Sequence, residues 1–251
     1  MISVILHGCS GHMGAVVTDI IAKEEGMEIV AGIDAVDLGN RPYPVYTDIR
    51  SCSVPADVII DFSTAKAVDG LVAYGVERNI PIVLCTTGLS DEQLAKVEEA
   101  SGVVGILRSA NMSLGVNLLI KLLKEAAATL VPAGYDAEIV EMHHNRKIDA
   151  PSGTAIALAE SVKEGAGGNM YYTYDRSQRR EKRDPKEIGI SSVRGGTIVG
   201  VHDVLFAGQD EVIEFTHTAY SRAIFAKGAV AAARFMAGRA PGYYDMSDVI
   251  G

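Results

Sequence analysis

The sequence predicts an α/β protein, in which a doubly wound parallel sheet is followed by a second, α+β domain whose sheet is antiparallel or mixed. Three observations carry that prediction. The first half alternates short Val/Ile-rich runs with helix-like segments, the rhythm of strands buried on both faces and joined by crossover helices. A Gly-x-x-Gly-x-x-Gly turn (Gly8, Gly11, Gly14) stands between the first run and the first helix. After Asn111 the rhythm stops, and longer helices and strands of alternating polarity follow.

Taken in order, "ISVILH" (2–7), "MEIVAGI" (27–33), "DVIIDF" (57–62), "IPIVLC" (80–85) and "VVGILR" (103–108) read as five buried strands. Helices are expected over Met13–Glu25, Ala65–Arg78 and Asp91–Ala100, the last behind a Ser90/Gln93 capping box. Residues 113–130 form a long helix, apolar at 114, 118, 119, 122, 123 and 126. A strand over 136–142 and a helix from Ser152 to Lys163 come next. The polar stretch 165–189 reads as a long mobile loop. Two strands, 196–207 and 210–219, meet at the turn Gly208-Gln209, and a helix over 222–238 closes the domain before a short tail.

Composition narrows the function. With 48% apolar and 22% charged residues the chain has an ordinary globular balance, and its net charge of -9 argues against a nucleic-acid partner. Cys9, Cys52 and Cys85 show neither disulfide nor zinc spacing, so a reducing cytoplasm is the expected location. The N-terminal apolar run is too short for a leader. No stretch approaches the roughly 20 apolar residues of a membrane span.

The glycine turn places backbone N–H groups at a helix N-terminus, where they can meet a pyrophosphate. The spacing alone is weak, but Asp34 follows Gly14 by 20 residues at the end of the second run, "GIDA". A carboxylate there accepts hydrogen bonds from the adenosine ribose and repels a 2'-phosphate. Ala35 adds no cation, so NADH is favoured over NADPH, although Arg41 on the following loop could reach the phosphate.

"MHHNRKIDAPSGTA" (142–155) concentrates the chemistry. Adjacent His143 and His144 at a strand end point in opposite directions, which suits separate roles better than shared chelation. A metal would need further ligands, and only Glu141 is near. Two satisfied polar residues at a strand end would be the bland alternative. Proton transfer from a histidine, positive charge from Arg146 and Lys147, and a carboxylate pocket at Ser152-Gly153-Thr154 together suit a small, multiply anionic substrate.

This segment closely resembles the signature of bacterial dihydrodipicolinate reductases. Further matching blocks are "GCSGHMG", "DFS" (61–63), "CTTG" (85–88), "SANMSLGVN" (109–117), "RGGTIVGVHDVLFAG", "DEVIEFTHTAYSRAIFAKGA" and "GYYDMSDVIG", so the resemblance covers nearly the whole chain. It implies a Rossmann-like domain over 1–110 with the tail 240–251 returning to it. It also implies a substrate-binding and oligomerisation domain over 111–239 with a mixed four-stranded sheet, and a homotetramer. The implied reaction is NAD(P)H-dependent reduction of 4-hydroxy-tetrahydrodipicolinate, a small dicarboxylate, with loss of water, in lysine and diaminopimelate synthesis.

Carried over by position, His143 is the proton donor or acceptor and Lys147 a second proton donor. His144, Gly153 and Thr154 contact the substrate carboxylates. The cofactor is lined by Gly8, Cys9, Ser10, Gly11, His12, Met13, Asp34, Cys85, Thr86, Thr87, Ser109, Ala110, Asn111 and Met112. Arg194 is placed at the substrate site by its charge and its position. Three departures stand out: His12 and Ala35 where the family often has Arg, and Cys85 where Gly is usual. The rival readings are another two-domain amino-acid dehydrogenase and a redox-sensing dinucleotide-binding protein without catalysis.

Overall fold

The computed structural model describes residues 1–251, which divide into two compact units: Met1–Ser113 with Ala223–Gly251, and Leu114–Arg222. In the first unit the chain runs β1 (Ile2–His7), α1 (His12–Ile21), β2 (Met27–Ile33), β3 (Val45–Tyr46), β4 (Val58–Asp61), α2 (Ala65–Arg78), β5 (Ile82–Leu84), α3 (Asp91–Ser101) and β6 (Gly105–Arg108). The strands form a seven-stranded sheet in the order β12-β6-β5-β4-β1-β2-β3, all parallel, with β12 (Gly242–Tyr244) from the C-terminal tail beside β6. The order reverses at β1/β4, the switch point at which α/β sheets of this Rossmann type bind ligands.

Alternation along these strands fills two cores. Val4, Leu6, Ile60, Val83 and Leu107 face one way, with Val17 and Ile21 of α1. Ile5, Ile59, Ile82 and Ile106 face the other, with Leu71 and Val72 of α2 and Val97 of α3. The helix expected to close the second domain, α6 (Ala223–Met236), lies instead in the first core. Its small-residue face Ala226, Ala229, Ala232 and Ala233 is buried there with Met236, and Gly228 leaves room for the carbonyl of Met112. The boundary near residue 239 therefore moves to Arg222/Ala223. A helix α7 (Met246–Ile250) ends the chain behind an Asp245/Asp248 capping box. Helix α1 also stops earlier than expected, at Ile21, and the two-residue edge strand β3 was not anticipated.

The second unit contains α4 (Leu114–Leu130), β7 (Asp136–His143), α5 (Gly153–Gly165), β8 (Tyr171–Tyr174), β9 (Glu187–Arg194), β10 (Gly200–Ala207) and β11 (Val212–Ala219). Its sheet is mixed, as expected, but has five strands in the order β11-β10-β7-β9-β8, not four. Pairing is antiparallel for β11/β10 and β10/β7 and parallel for β7/β9 and β9/β8. Strand β8 lies within the polar stretch expected to be a loop, and β9 begins inside it. Glycine breaks the apolar alternation of β9 at Gly189, where a side chain would collide with the Glu138 carboxylate.

The remaining loop, 175–186, is pinned by charge. Arg176 donates to Glu138 and Glu187, Arg179 to Glu187 (2.9 Å), and Arg183 to Asp136 (2.6 Å) and Glu138 (2.9 Å). No helix is long and apolar enough to cross a membrane.

Candidate active site

At the switch point, Gly8 adopts φ +83°, and a side chain there would run into the backbone of Phe62 and Ser63 after β4. Gly14 is equally confined, by the carbonyls of Gly8 and Cys9. Both glycines are therefore required by close backbone approach and, at Gly8, by left-handed geometry. Gly11 N-caps α1 without a side-chain hydrogen bond, so no side chain of the chain covers the first amides of that helix. Ser10, Gly11, His12 and Met13 curl around this end. Asp34 accepts from the Ser10 amide (2.9 Å) and so ties the end of β2 to the loop. This backbone cradle with a carboxylate alongside suits a dinucleotide.

Other expected cofactor residues divide between surface and core. Thr87 and Ala110 are exposed, Ser109 and Asn111 partly so, and Thr86 is buried with its hydroxyl 3.4 Å from Ser63 Oγ. Cys9 and Met112 point into the core, Cys9 against Gly32 and Tyr43, so only their backbones can face a ligand. Cys85 forms its strand-end turn without positive φ, which belongs to Gly88. Burial and then the Asp61 carboxylate push its thiol pKa well up, which makes it an unreactive thiol.

One feature of this region was not foreseen. His7 Nδ1 lies 2.8 Å from Asp61 Oδ1 in a buried pair at the ends of β1 and β4, and Asp61 Oδ2 has no partner. Arg41 sits near enough to Cys9 and Tyr43 to oppose the burial that raises their pKa values, and its Nε is buried without a partner.

The second unit builds its site from one face of the sheet. Along β7, Ala137 and Ile139 join the apolar core with α4 and α5, and the same face then carries Glu141 and His143. Neighbouring strands change character at the same level: Ile190 to Ser192 and Arg194 on β9, Val204 to His202 on β10, and Phe215 to His217 on β11. The start of α5 is tied to this polar end. Ser152 accepts from the Ala155 amide (3.1 Å) as N-cap, donates its own amide to Glu141 (3.1 Å), and its hydroxyl is 3.0 Å from His202 Nε2.

Glu141 is fully buried and central. Arg194 grips both its oxygens (2.6 and 2.8 Å), and His143 Nδ1 lies 2.5 Å from Oε2. Burial works to raise its pKa, but the hydrogen bonds from Arg194, Ser192 and His143 prevail and hold it at about 2. Arg194, assigned to the substrate by charge, thus spends its guanidinium on Glu141 and the Asp149 carbonyl (2.6 Å). A carboxylate gripped in this way has no lone pairs to offer a metal, and no group of three or more His, Cys, Asp or Glu side chains is arranged to hold one.

His202 stands edge-on to His143 (centroids 5.2 Å), and burial first, then the His143 charge, lower its pKa to about 4. His144, just past β7, is kept neutral-leaning by desolvation and then by Arg146 and Arg222. Lys147 Nζ pairs with Asp149 (2.9 Å). Gly153 and Thr154 begin α5, whose first amides have no helical carbonyl to bind. The histidine motif is therefore drawn together locally, with Ser152 linking it to α5 and with Glu141 and His202 as members to which the sequence reading gave no role in it. Glu141 could have been found, since strand periodicity puts residues 141 and 143 on one face.

Comparison with known proteins covers both units. Residues 2–112 match the family model "Dihydrodipicolinate reductase, N-terminus", and residues 115–250 match "Dihydrodipicolinate reductase, C-terminus". The 4-hydroxy-tetrahydrodipicolinate reductase of Caldanaerobacter subterraneus subsp. tengcongensis is 50% identical over 250 residues, covering 100% of this chain and 98% of the relative. That of Clostridium novyi is 48% identical with the same coverage. Among solved structures, a dipicolinate-bound dihydrodipicolinate reductase from Paenisporosarcina sp. TG-14 superposes with a TM-score of 0.82 at 28% identity, covering 98% of this chain and 97% of that one.

Proposed function

The chain belongs to the dihydrodipicolinate reductase family and is an oxidoreductase of lysine and diaminopimelate synthesis that reduces 4-hydroxy-tetrahydrodipicolinate to tetrahydrodipicolinate, and we propose that it does so with NADH in preference to NADPH and with His143 as proton donor. The reaction adds one hydride and one proton to the ring and releases one water. Bound at the glycine loop, the reduced nicotinamide cofactor supplies the hydride.

The protein's own residues then have three tasks. The amides of Gly153 and Thr154 and the side chains of His144 and Lys147 bind the two substrate carboxylates. His143 delivers the proton, with Lys147 as a second donor. Asp34, Ser10 and the amides behind Gly11 seat the dinucleotide, along with Gly8, Cys9, His12, Met13, Cys85, Thr86, Thr87 and the segment Ser109 to Met112. The observation that carries this reading is the tie between the titratable His143 and the start of α5, made through Glu141 by contacts of 2.5 and 3.1 Å. A proton donor and an anion-binding helix end are thereby held side by side. Cytoplasmic residence and a homotetramer belong to the same proposal.

The test is oxidation of NADH and NADPH in the presence of freshly made aldol product of pyruvate and aspartate semialdehyde. His143→Gln is expected to lower kcat by about 100-fold or more, the usual worth of a positioned acid, with NADH affinity unchanged. Undiminished turnover in that variant would reject the assignment.

A further inference from the structure

Resting on the reading just given, we infer that Glu141 is the positioning residue of the reaction: it fixes His143 with Nδ1–H turned inward, makes Nε2 the atom that gives up the proton, and binds that imidazole to the carboxylate-binding end of α5.

The geometry leaves one arrangement of protons. Glu141 is fully buried, and Arg194 donates to both of its oxygens, so the carboxylate acts as an acceptor only. The 2.5 Å contact from His143 must then be an Nδ1–H donating to Oε2. This leaves Nε2 as the nitrogen available to exchange a proton with substrate. Residue 200, facing that atom from β10, is glycine, and a side chain there would crowd Nε2 at 3.1 Å.

The other oxygen of Glu141 accepts the Ser152 amide (3.1 Å), which fixes the N-cap of α5. Ser152 Oγ accepts from the Ala155 amide (3.1 Å) and lies 3.0 Å from His202 Nε2, so this hydroxyl bridges the helix cap and β10. Ser152 is consequently occupied within the protein. One carboxylate therefore sets the distance between proton donor and substrate pocket. The titratable and charged groups around His143 are Glu141 on its own strand, Arg194 opposite on β9, His202 on β10 with His217 behind it, and His144 and Lys147 on the following turn.

The experiment compares Glu141→Gln and His143→Gln with the unaltered enzyme. Glu141→Gln keeps the shape and removes the charge. It is expected to lower kcat by about 10- to 100-fold, as removing an outer partner of a functional histidine does. It should also move the alkaline limb of the kcat profile down by about one pH unit or more, since an imidazolium without its carboxylate loses its proton sooner. Affinity for NADH and for pyridine-2,6-dicarboxylate should change less than threefold.

An unshifted profile with full activity would overturn the inference. If His143→Gln is inactive while Glu141→Gln is normal, only Glu141's role falls; if His143→Gln is active, the assigned chemistry falls as well. Should Glu141→Gln not fold, nitrogen-15 NMR of the unaltered protein decides. With the His143 signal assigned by its loss in His143→Gln, the neutral ring must carry its proton on Nδ1, and an Nε2–H tautomer would refute the inference.

Discussion

Asp34 and Arg41 set opposing charges beside the same glycine loop. The carboxylate, held by the Ser10 amide at 2.9 Å, repels a 2'-phosphate, whereas the Arg41 guanidinium lies close enough to Cys9 and Tyr43 to act on their titration. Under the proposed cofactor preference, Arg41 is the side chain through which NADPH would be tolerated, since an arginine–phosphate contact is charge-assisted. Arg41→Ala should reduce kcat/KM for NADPH by about tenfold, equivalent to ~1.4 kcal/mol, and leave the NADH value within twofold. Equal losses with both cofactors would show that Arg41 serves the loop and not the phosphate. At this scale the sequence was informative where the chemistry is local. His143, His144, Lys147, Gly153 and Thr154 fall within a dozen positions, and the shared purpose proposed for them follows from charge and small-residue spacing. His202 and His217 were invisible, because only the pairing of β10 with β7 and β11 brings them to the same level of the sheet. Arg194 was noticed for its charge and given the wrong partner, because nothing in a linear reading shows that Glu141 faces it.

The start of α5 lies against a histidine that burial keeps neutral. Ser152 Oγ is 3.0 Å from His202 Nε2, and protonating that buried ring in the folded state would place a charge out of water beside the helix cap. Burial, with the His143 charge second, holds the His202 pKa at about 4 in the folded state, against ~6.5 in an unfolded chain. The unfolded chain therefore binds the proton first as pH falls. The contribution to stability is complete above ~pH 6.5 and is lost as pH drops through about 4, a change of about 3 kcal/mol. Urea midpoints measured from pH 7 to 4.5 should decline across this window, and His202→Gln should flatten the decline. An equally steep decline in that variant would place the titrating group elsewhere. Elements with strong periodicity were legible: α2, α3 and α4 begin and end within a residue or two of their expected limits. Strands β8 and β9 were not. One is a four-residue run of mixed polarity and the other has Gly189 at a position where the Glu138 side chain takes the space, so neither shows the alternation that marks a strand.

Within the second unit, α4 and α5 cover one face of the mixed sheet, and the other face has an apolar row where Val193, Met142 and Val201 stand abreast on β9, β7 and β10. Val193 is 44% exposed, at the end of β9 that β8 does not reach. The arginine-bearing segment 176–183 neutralises Asp136 and Glu138 at the far end of this same face, which removes the charges that would repel a like surface. An apolar row of this kind is suited to self-association about a twofold axis, where the same residues meet themselves. This is the physical argument for the proposed homotetramer, and it explains how a chain of net charge -9 can bring copies together. Sedimentation equilibrium is expected to give four times 26.6 kDa, about 106 kDa. Val201→Glu puts a carboxylate in the middle of the row, where two copies would set like charges against each other in a dry contact. Its side chain faces away from His202 and Glu141, so the site within the unit should persist. The variant is expected to sediment at half the mass or less while still binding NADH. A tetramer that survives the substitution would mean that the copies meet on another surface.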